Sequence, residues 1–276
     1  MTASTPVRLA TFNVLHGRTV GDRGPVAVGA LVEAVAALDA EVTVLQELDR
    51  FQERSGRVDQ ARAVAEALGP VEWRYASAFH ARAREGRGWV RERSEPGLRV
   101  YGPPGTGHDG TAPSHGIALL SRLPVHHWRA RRFAEPPVAA LLPSPSPRGL
   151  RVVRDHPRVA LAAVLEGRRG PFTAVALHLS FVPGWNVRQL LAVRKWIADL
   201  PQPQVLLGDL NLPGTVPTTV LGCGWHPTAR ARTFPAHHPR LQLDHILTTG
   251  PGPRQPVRMA RPPISDHRPL VVELSL

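Results

Sequence analysis

Cysteine is almost missing from this chain. Cys223 stands alone, which excludes an internal disulfide and any cysteine-built zinc cluster. Lysine is almost missing too: Lys195 is the only one, so arginine carries nearly all of the +12 net charge. No run of about 18 apolar residues exists, so no membrane-spanning helix is expected. The first residues, MTASTPVRLATF, lack a basic stretch followed by a long apolar core, so no secretory leader is expected either. A lone thiol and no leader fit a reducing, cytoplasmic setting. Nothing in the sequence points to a protein partner.

Hydrophobic content of 42% and charged content of 20% are ordinary for a globular protein. A chain of 276 residues can bury a sizeable core. Guanidinium groups suit bidentate contacts to phosphate, so the arginine excess fits an anionic partner. It fits equally a general bias toward Arg, Ala and Pro codons, and it does not separate nucleic acid from a small molecule.

Apolar periodicity places strands at 7–14, 41–46, 71–79, 116–121, 158–166, 172–180, 205–210, 243–249 and 269–276. Helical spacing appears at 26–38, 58–68 and 185–200. Residues 81–115, 134–149 and 212–240 are rich in Arg, Gly, Pro or Ser and read as loops. GRRG (167–170) reads as a tight turn between two strands. Strands and helices mix throughout and no linker divides them, so one α/β domain over 1–276 is expected.

Seven segments place polar residues beside apolar runs: TFN (11–13), LQE (45–47), GIALLSRLPV (116–125), ALHLS (176–180), LLGDLN (206–211), LQLDHI (241–246) and ISDHRPL (264–270). A strand end holds a polar group rigidly while the adjoining loop leaves room for substrate. Asp209 and Asn211, two apart, would share a face if the strand continued past Asp209. Asn13, Glu47, His178, Asp209, Asn211, Asp244, Asp266 and His267 together suit one hard divalent cation and a phosphoryl group.

In that order, these segments resemble the endonuclease/exonuclease/phosphatase superfamily, whose members include DNase I, abasic-site endonucleases, neutral sphingomyelinases and inositol polyphosphate 5-phosphatases. The matching segments run nearly the whole chain. The resemblance implies a DNase I-like four-layer α/β/β/α sandwich, two packed mixed β-sheets flanked by helices. It implies that Asn13 and Glu47 hold Mg²⁺ (Mn²⁺ could substitute), with Glu47 the direct carboxylate ligand and Asp266 beside them. It makes Asp209 the group that orients or deprotonates the attacking water. Asn211 would hydrogen-bond a phosphoryl oxygen, and His178 would donate to the phosphate or assist the leaving group. His267 would be the general base or a phosphate-stabilising imidazolium, oriented by Asp244.

The sequence departs from the family pattern at Leu210, His245 and Gln242, where an aromatic residue, a tyrosine and a basic residue are common. GPPGTGHDG (102–110) looks like a phosphate-binding loop but lacks its Lys and Ser/Thr, so a plain loop is expected. The pairs His126–His127 and His237–His238 are expected at the surface.

The expected activity is therefore divalent-metal-dependent hydrolysis of a phosphate ester, by a phosphodiesterase or phosphatase. The alternative is a DNA endonuclease or exonuclease; a non-catalytic phosphate-binding module is a third reading, disfavoured because every expected catalytic position is filled. The partner is a phosphate ester: a small molecule, a lipid headgroup or nucleic acid. The segment TFPAHHPRLQLDHI (233–246) lacks the tryptophans of abasic-site endonucleases. Against this, the arginines of 81–99 and of RARR (129–132) could track a nucleic-acid backbone.

Overall fold

A computed structural model describes residues 5–21, 26–84, 88–93, 95, 97–143, 149–250 and 261–276. Parts of the sequence-read loops 81–115 (85–87, 94, 96) and 134–149 (144–148) lie outside the described residues. In the first half run β1 (Val7–Asn13), α1 (Val28–Ala36), β2 (Val42–Arg50), α2 (Gln60–Leu68), β3 (Glu72–Arg84), β4 (Gly88–Arg91), β5 (Val100–Tyr101), β6 (Ser114–Ser121) and β7 (Val125–Phe133). The second half adds β8 (Ala140–Pro143), β9 (Leu150–Val153), β10 (Arg158–Gly167), β11 (Gly170–His178), α3 (Trp185–Trp196), β12 (Gln204–Asp209), α4 (Val216–Leu221), β13 (His226–Pro227), β14 (Asp244–Thr248) and β15 (Leu270–Leu274).

One large sheet has the order β15-β1-β2-β6-β3-β4, with β5 also on β3; a second runs β13-β14-β12-β11-β10-β7, and β8 and β9 pair as a separate two-stranded ribbon. Leu9, Val44, Ile117, Leu161, Ala174 and Leu207 belong to the apolar layer between the two large sheets. Leu31, Val35 and Val64 of α1 and α2 cover the outer face of the first sheet. Leu190, Val193 and Leu221 of α3 and α4 cover the outer face of the second. The result is the expected four-layer α/β/β/α sandwich. Each fully buried Leu or Phe side chain contributes about 2 kcal/mol to it.

Each large sheet contains one parallel pair in its interior, β1 with β2 and β11 with β12. Parallel strands end on the same side, so each pair delivers two C-terminal ends to one edge. Asn13 is registered with Gln46, the neighbour of Glu47, and His178 is registered with Asp209. β14 runs antiparallel to β12 and sets Asp244 opposite Asp209.

Four differences from the sequence reading matter. β3 continues to Arg84 and pairs with β4, so part of 81–115 is a hairpin. Arg and Gly mask its alternation. The strand β7 was not expected, because its VHHWRARRF has no apolar run. It pairs with β10 and so forms an edge of the second sheet, where polar residues are tolerated. Within the loop-read stretches 134–149 and 212–240 lie β8, β13 and α4. Finally, β12 stops at Asp209 and Asn211 adopts φ 50, so Asp209 and Asn211 are not alternate residues of one strand.

Leu210 is buried among apolar residues, as a packing position should be. His245 is buried and its Nε2 lies 2.8 Å from the Leu212 carbonyl. The stretch 102–110 is irregular, and His126, His127, His237 and His238 are exposed.

Candidate active site

The two parallel pairs meet at a cleft of about 310 Å³. Glu47, His178, Asp209, Asn211 and His267 line it, while Asn13 and Asp244 stand buried behind them. Asp266 does not line it.

Local backbone geometry explains how these groups come together. Gly208 passes so close to β11 that a Cβ there would lie 1.9 Å from the Leu177 carbonyl oxygen, so only glycine fits immediately before Asp209. Glu47 sits in a register break of β2 between Leu45 and Leu48, at φ 59. Such a left-handed conformation costs a non-glycine residue about 1 kcal/mol or more. Leu15, His16, Asn211 and Ser265 are left-handed as well, so the loops after β1 and β12 and the one before β15 carry the same strain.

The hydrogen bonds form one continuous network. Nδ2 of Asn13 donates to Oε1 of Glu47 at 3.1 Å and to Oδ2 of Asp209 at 3.0 Å, while its Oδ1 accepts from the Leu15 amide. Nδ1 of His267 is 2.8 Å from Oδ2 of Asp244, and its Nε2 is 3.7 Å from Oδ2 of Asp209. The Ser265 hydroxyl donates to the Asn13 carbonyl at 2.6 Å and accepts from the His267 amide at 3.0 Å. It thereby ties the ISDH loop to the end of β1. The Asn211 amide accounts for one donor by bonding the Leu179 carbonyl at 3.0 Å, leaving a second N–H for the cleft.

Charge follows burial and neighbours. Burial pushes the Asp209 carboxyl up, and Asp244 adds to this. Burial opposes charging His267, but Asp244 and Asp209 outweigh it and raise the imidazole above its ordinary value. The proton of this buried group therefore resides on His267. Burial also opposes ionising Glu47, yet His115, the Asn13 amide and His267 hold its carboxyl below the ordinary value. Asp266 is raised by burial and by Glu47.

The residues that sequence reasoning missed flank the phosphate-sized space. Nη1 of Arg158 is 2.8 Å from Nε2 of His178, and Asp155 holds the same guanidinium at 2.7 Å. An arginine can only donate, so Nε2 of His178 accepts and its proton sits on Nδ1. Burial and Arg158 hold His178 far below its ordinary pKa, hence neutral. On the opposite wall, Arg54 and His115 both bind the buried Asp49. Arg158 was legible in principle: the tight GRRG turn fixes the β10–β11 register, which lays the start of β10 beside the end of β11.

Glu47, Asp155, Asp209 and Asn211 bring side-chain oxygens to the cleft, the donors a hard divalent cation prefers. Asp209, Asp244 and His267 bring one ligand atom each within 4.8 Å of one another and could hold a metal. In the present arrangement, however, His267 is protonated and bonded to Asp244. Glu47, ionised and lining the cleft, is a further carboxylate that could hold a cation.

The model of the endonuclease/exonuclease/phosphatase family matches residues 10–267. Among curated proteins, the uncharacterised protein YbhP of Escherichia coli is 26% identical over 175 residues, covering 59% of this chain and 63% of YbhP. The chain therefore spans just under two thirds of that relative. Among solved structures, an endonuclease/exonuclease/phosphatase of Beutenbergia cavernae superposes with a TM-score of 0.62 at 19% identity, over 99% of this chain and 72% of that one. The mannosyl-6-phosphatase Bt3783 of Bacteroides thetaiotaomicron gives 0.63 at 16% identity, over 98% and 100%. At these identities the structural matches establish the DNase I-like fold.

Proposed function

Since the chain belongs to the endonuclease/exonuclease/phosphatase family, whose members act on phosphoesters, we propose that it is a Mg²⁺-dependent hydrolase of a small phosphate ester. The observation that carries this reading is the placement of His267 between Asp244 and Asp209, with the Asn13 amide joining Asp209 to Glu47.

Glu47 would hold the cation, Asn13 would orient its carboxylate, and Asp266 would add negative charge nearby. Mn²⁺ could replace Mg²⁺. When bound, the cation neutralises phosphoryl charge and polarises the ester. The remaining work falls to the chain's own groups. Asp209, its basicity raised by burial, takes the proton of the attacking water at Oδ2 as the water oxygen bonds phosphorus; the ester P–O bond breaks, and its oxygen leaves with the electron pair and is protonated from solvent. His267 serves as the imidazolium: Nε2–H faces the developing phosphoryl charge, and Asp244 keeps Nδ1–H in place. This chooses between the two roles expected for His267. Asn211 offers its second amide N–H to a phosphoryl oxygen. His178, with Nε2 occupied, steers Arg158 toward the phosphate and does not itself donate from that nitrogen. Each such donor is worth about 2–4 kcal/mol of barrier.

A small ester is favoured over nucleic acid because several of the arginines that could track a backbone are tied locally. Arg129 binds Asp199, and Arg132 donates to the Ala78 carbonyl. Arg84 and Arg99 pair with Glu53 and Glu95. No helix among the described residues is long and apolar enough to cross a membrane.

The test is parallel hydrolysis of bis-p-nitrophenyl phosphate, p-nitrophenyl phosphate and supercoiled plasmid, with EDTA and Glu47→Ala as controls. EDTA-sensitive turnover of the small esters with intact plasmid supports the reading. Plasmid nicking that outpaces small-ester turnover would replace it with the nuclease, and inactivity on all three would leave a binding module or a narrower substrate.

A further inference from the structure

Beyond the phosphate-sized space the cleft has a second compartment of about 550 Å³. Phe79, Trp89, Asp155 and His156 line both compartments and form the shared wall, with the Asp155 carboxylate held by Arg158. The rings touch: Phe79 lies 4.8 Å from Trp89 and 4.8 Å from His156, centroid to centroid. Burial and the Arg158 charge hold the His156 imidazole near pKa 4, so it is a neutral ring at pH 7. Arg91 and Arg154 also line the outer compartment. Arg91 is paired with Glu135. Arg154 is exposed and makes no ion pair with any described residue.

We propose that this outer compartment receives the organic part of the substrate, and that this part is a planar ring bearing a second anionic group, which Arg154 pairs. The inference rests on the phosphoester reading and specifies its substrate class. Rings of Phe, Trp and neutral His favour a planar unsaturated group through stacking and edge contacts. A saturated polyol would gain no stacking from the three rings. The Arg154 guanidinium, unpaired among the described residues, supplies the charge complement. Trp89 and Arg154 are thus specificity-determining residues that take no part in the chemical step.

Three non-hydrolysable ligands separate the contributions: methylphosphonate, phenylphosphonate and 4-phosphonobenzoate. Their affinities would be measured by calorimetry in Mg²⁺ buffer, with bis-p-nitrophenyl phosphate turnover followed separately. Phenylphosphonate is expected to bind about tenfold more tightly than methylphosphonate, in keeping with stacking on an aromatic side chain. The added carboxylate is expected to give about threefold more, as an exposed ion pair does. Arg154→Glu removes the carboxylate increment and keeps the ring increment; Trp89→Leu removes the ring increment. Each variant is read as ratios between its own ligands, so a damaged inner site shows in methylphosphonate alone. Should Trp89→Leu fail to fold, the exposed Arg154→Glu still decides. Equal affinities for the three phosphonates in the wild type, or increments that survive both variants, overturn the outer compartment while small-ester turnover stands. No phosphonate binding and no turnover would overturn both readings.

Discussion

Nε2 of His267 stands 3.7 Å from Oδ2 of Asp209, with Nδ1 of the same ring 2.8 Å from Asp244. One imidazole therefore faces two buried carboxylates, and they hold its proton. Replacing Asp244 by Asn removes the carboxylate with the larger effect on His267 and leaves the shape almost unchanged. The His267 pKa is then expected to fall, and turnover to drop about 10²- to 10⁴-fold, as when the carboxylate behind a catalytic histidine becomes an amide. NMR titration of His267 together with kcat checks this. A ring that titrates as in the wild type, with unchanged kcat, would mean that Asp244 is only structural.

Glu47 is held ionised in the cleft with a single amide, that of Asn13, on its Oε1. Glu47→Gln keeps the size and removes the charge. The Mg²⁺ concentration for half-maximal activity should rise at least about tenfold. The upward shift in melting temperature produced by Mg²⁺ in the wild type should also shrink, because stabilisation by a ligand tracks its affinity for the folded state. Equal Mg²⁺ responses in the two proteins would move the cation elsewhere, with Asp209, Asp244 and His267 the next set to consider.

Strand ends carried most of what the sequence could tell. Asn13, Glu47, His178, Asp209, Asn211, Asp244 and His267 all follow or precede apolar runs, and the sandwich brings all seven to one cleft or its back wall. Periodicity located β1, β11 and β12 because their residues are buried on both faces. It missed β7, whose edge position needs no apolar alternation. It also missed the partners that act through register. Arg158 reaches His178 only because an antiparallel hairpin folds back, and Ser265 reaches Asn13 across 252 positions of sequence. Such pairings depend on topology, which residue type alone does not disclose.

Arg158 is fixed on one side by the buried carboxylate of Asp155 and points Nη1 at His178. Arg158→Met should therefore lower kcat/KM by about 10²-fold, the loss of one charged donor to the phosphoryl group. Arg158→Lys should rescue little of this, since an ammonium cannot span Asp155 and the cleft with a planar fork. Asp155→Asn should raise KM in the same direction by a smaller factor. Steady-state kinetics on a small ester separate these cases. Wild-type kcat/KM in Arg158→Met would remove this arginine from the reaction.

Acid should destabilise the folded chain through two histidines outside the proposed catalytic set. Burial, with Arg54 near His16 and Arg158 near His156, lowers both to about 4. Nδ1 of His16 is buried without a hydrogen-bond partner, so charging it in place has little to offset it. In the unfolded chain both return to about 6.5. The folded pKa is the depressed one, so the stabilisation is fully present above about pH 6.5 and is lost as pH falls from there toward 4. Across that window the unfolded state holds up to about two more protons than the folded state at these sites, and stability declines with a matching slope. His16→Asn suits the left-handed backbone at φ 46, and His156→Phe keeps the ring contacts. Each should flatten the decline by about one proton. Urea unfolding measured across the window, for each variant and the wild type, reads this directly. Parallel curves would show that the acid sensitivity arises from the carboxylate network instead.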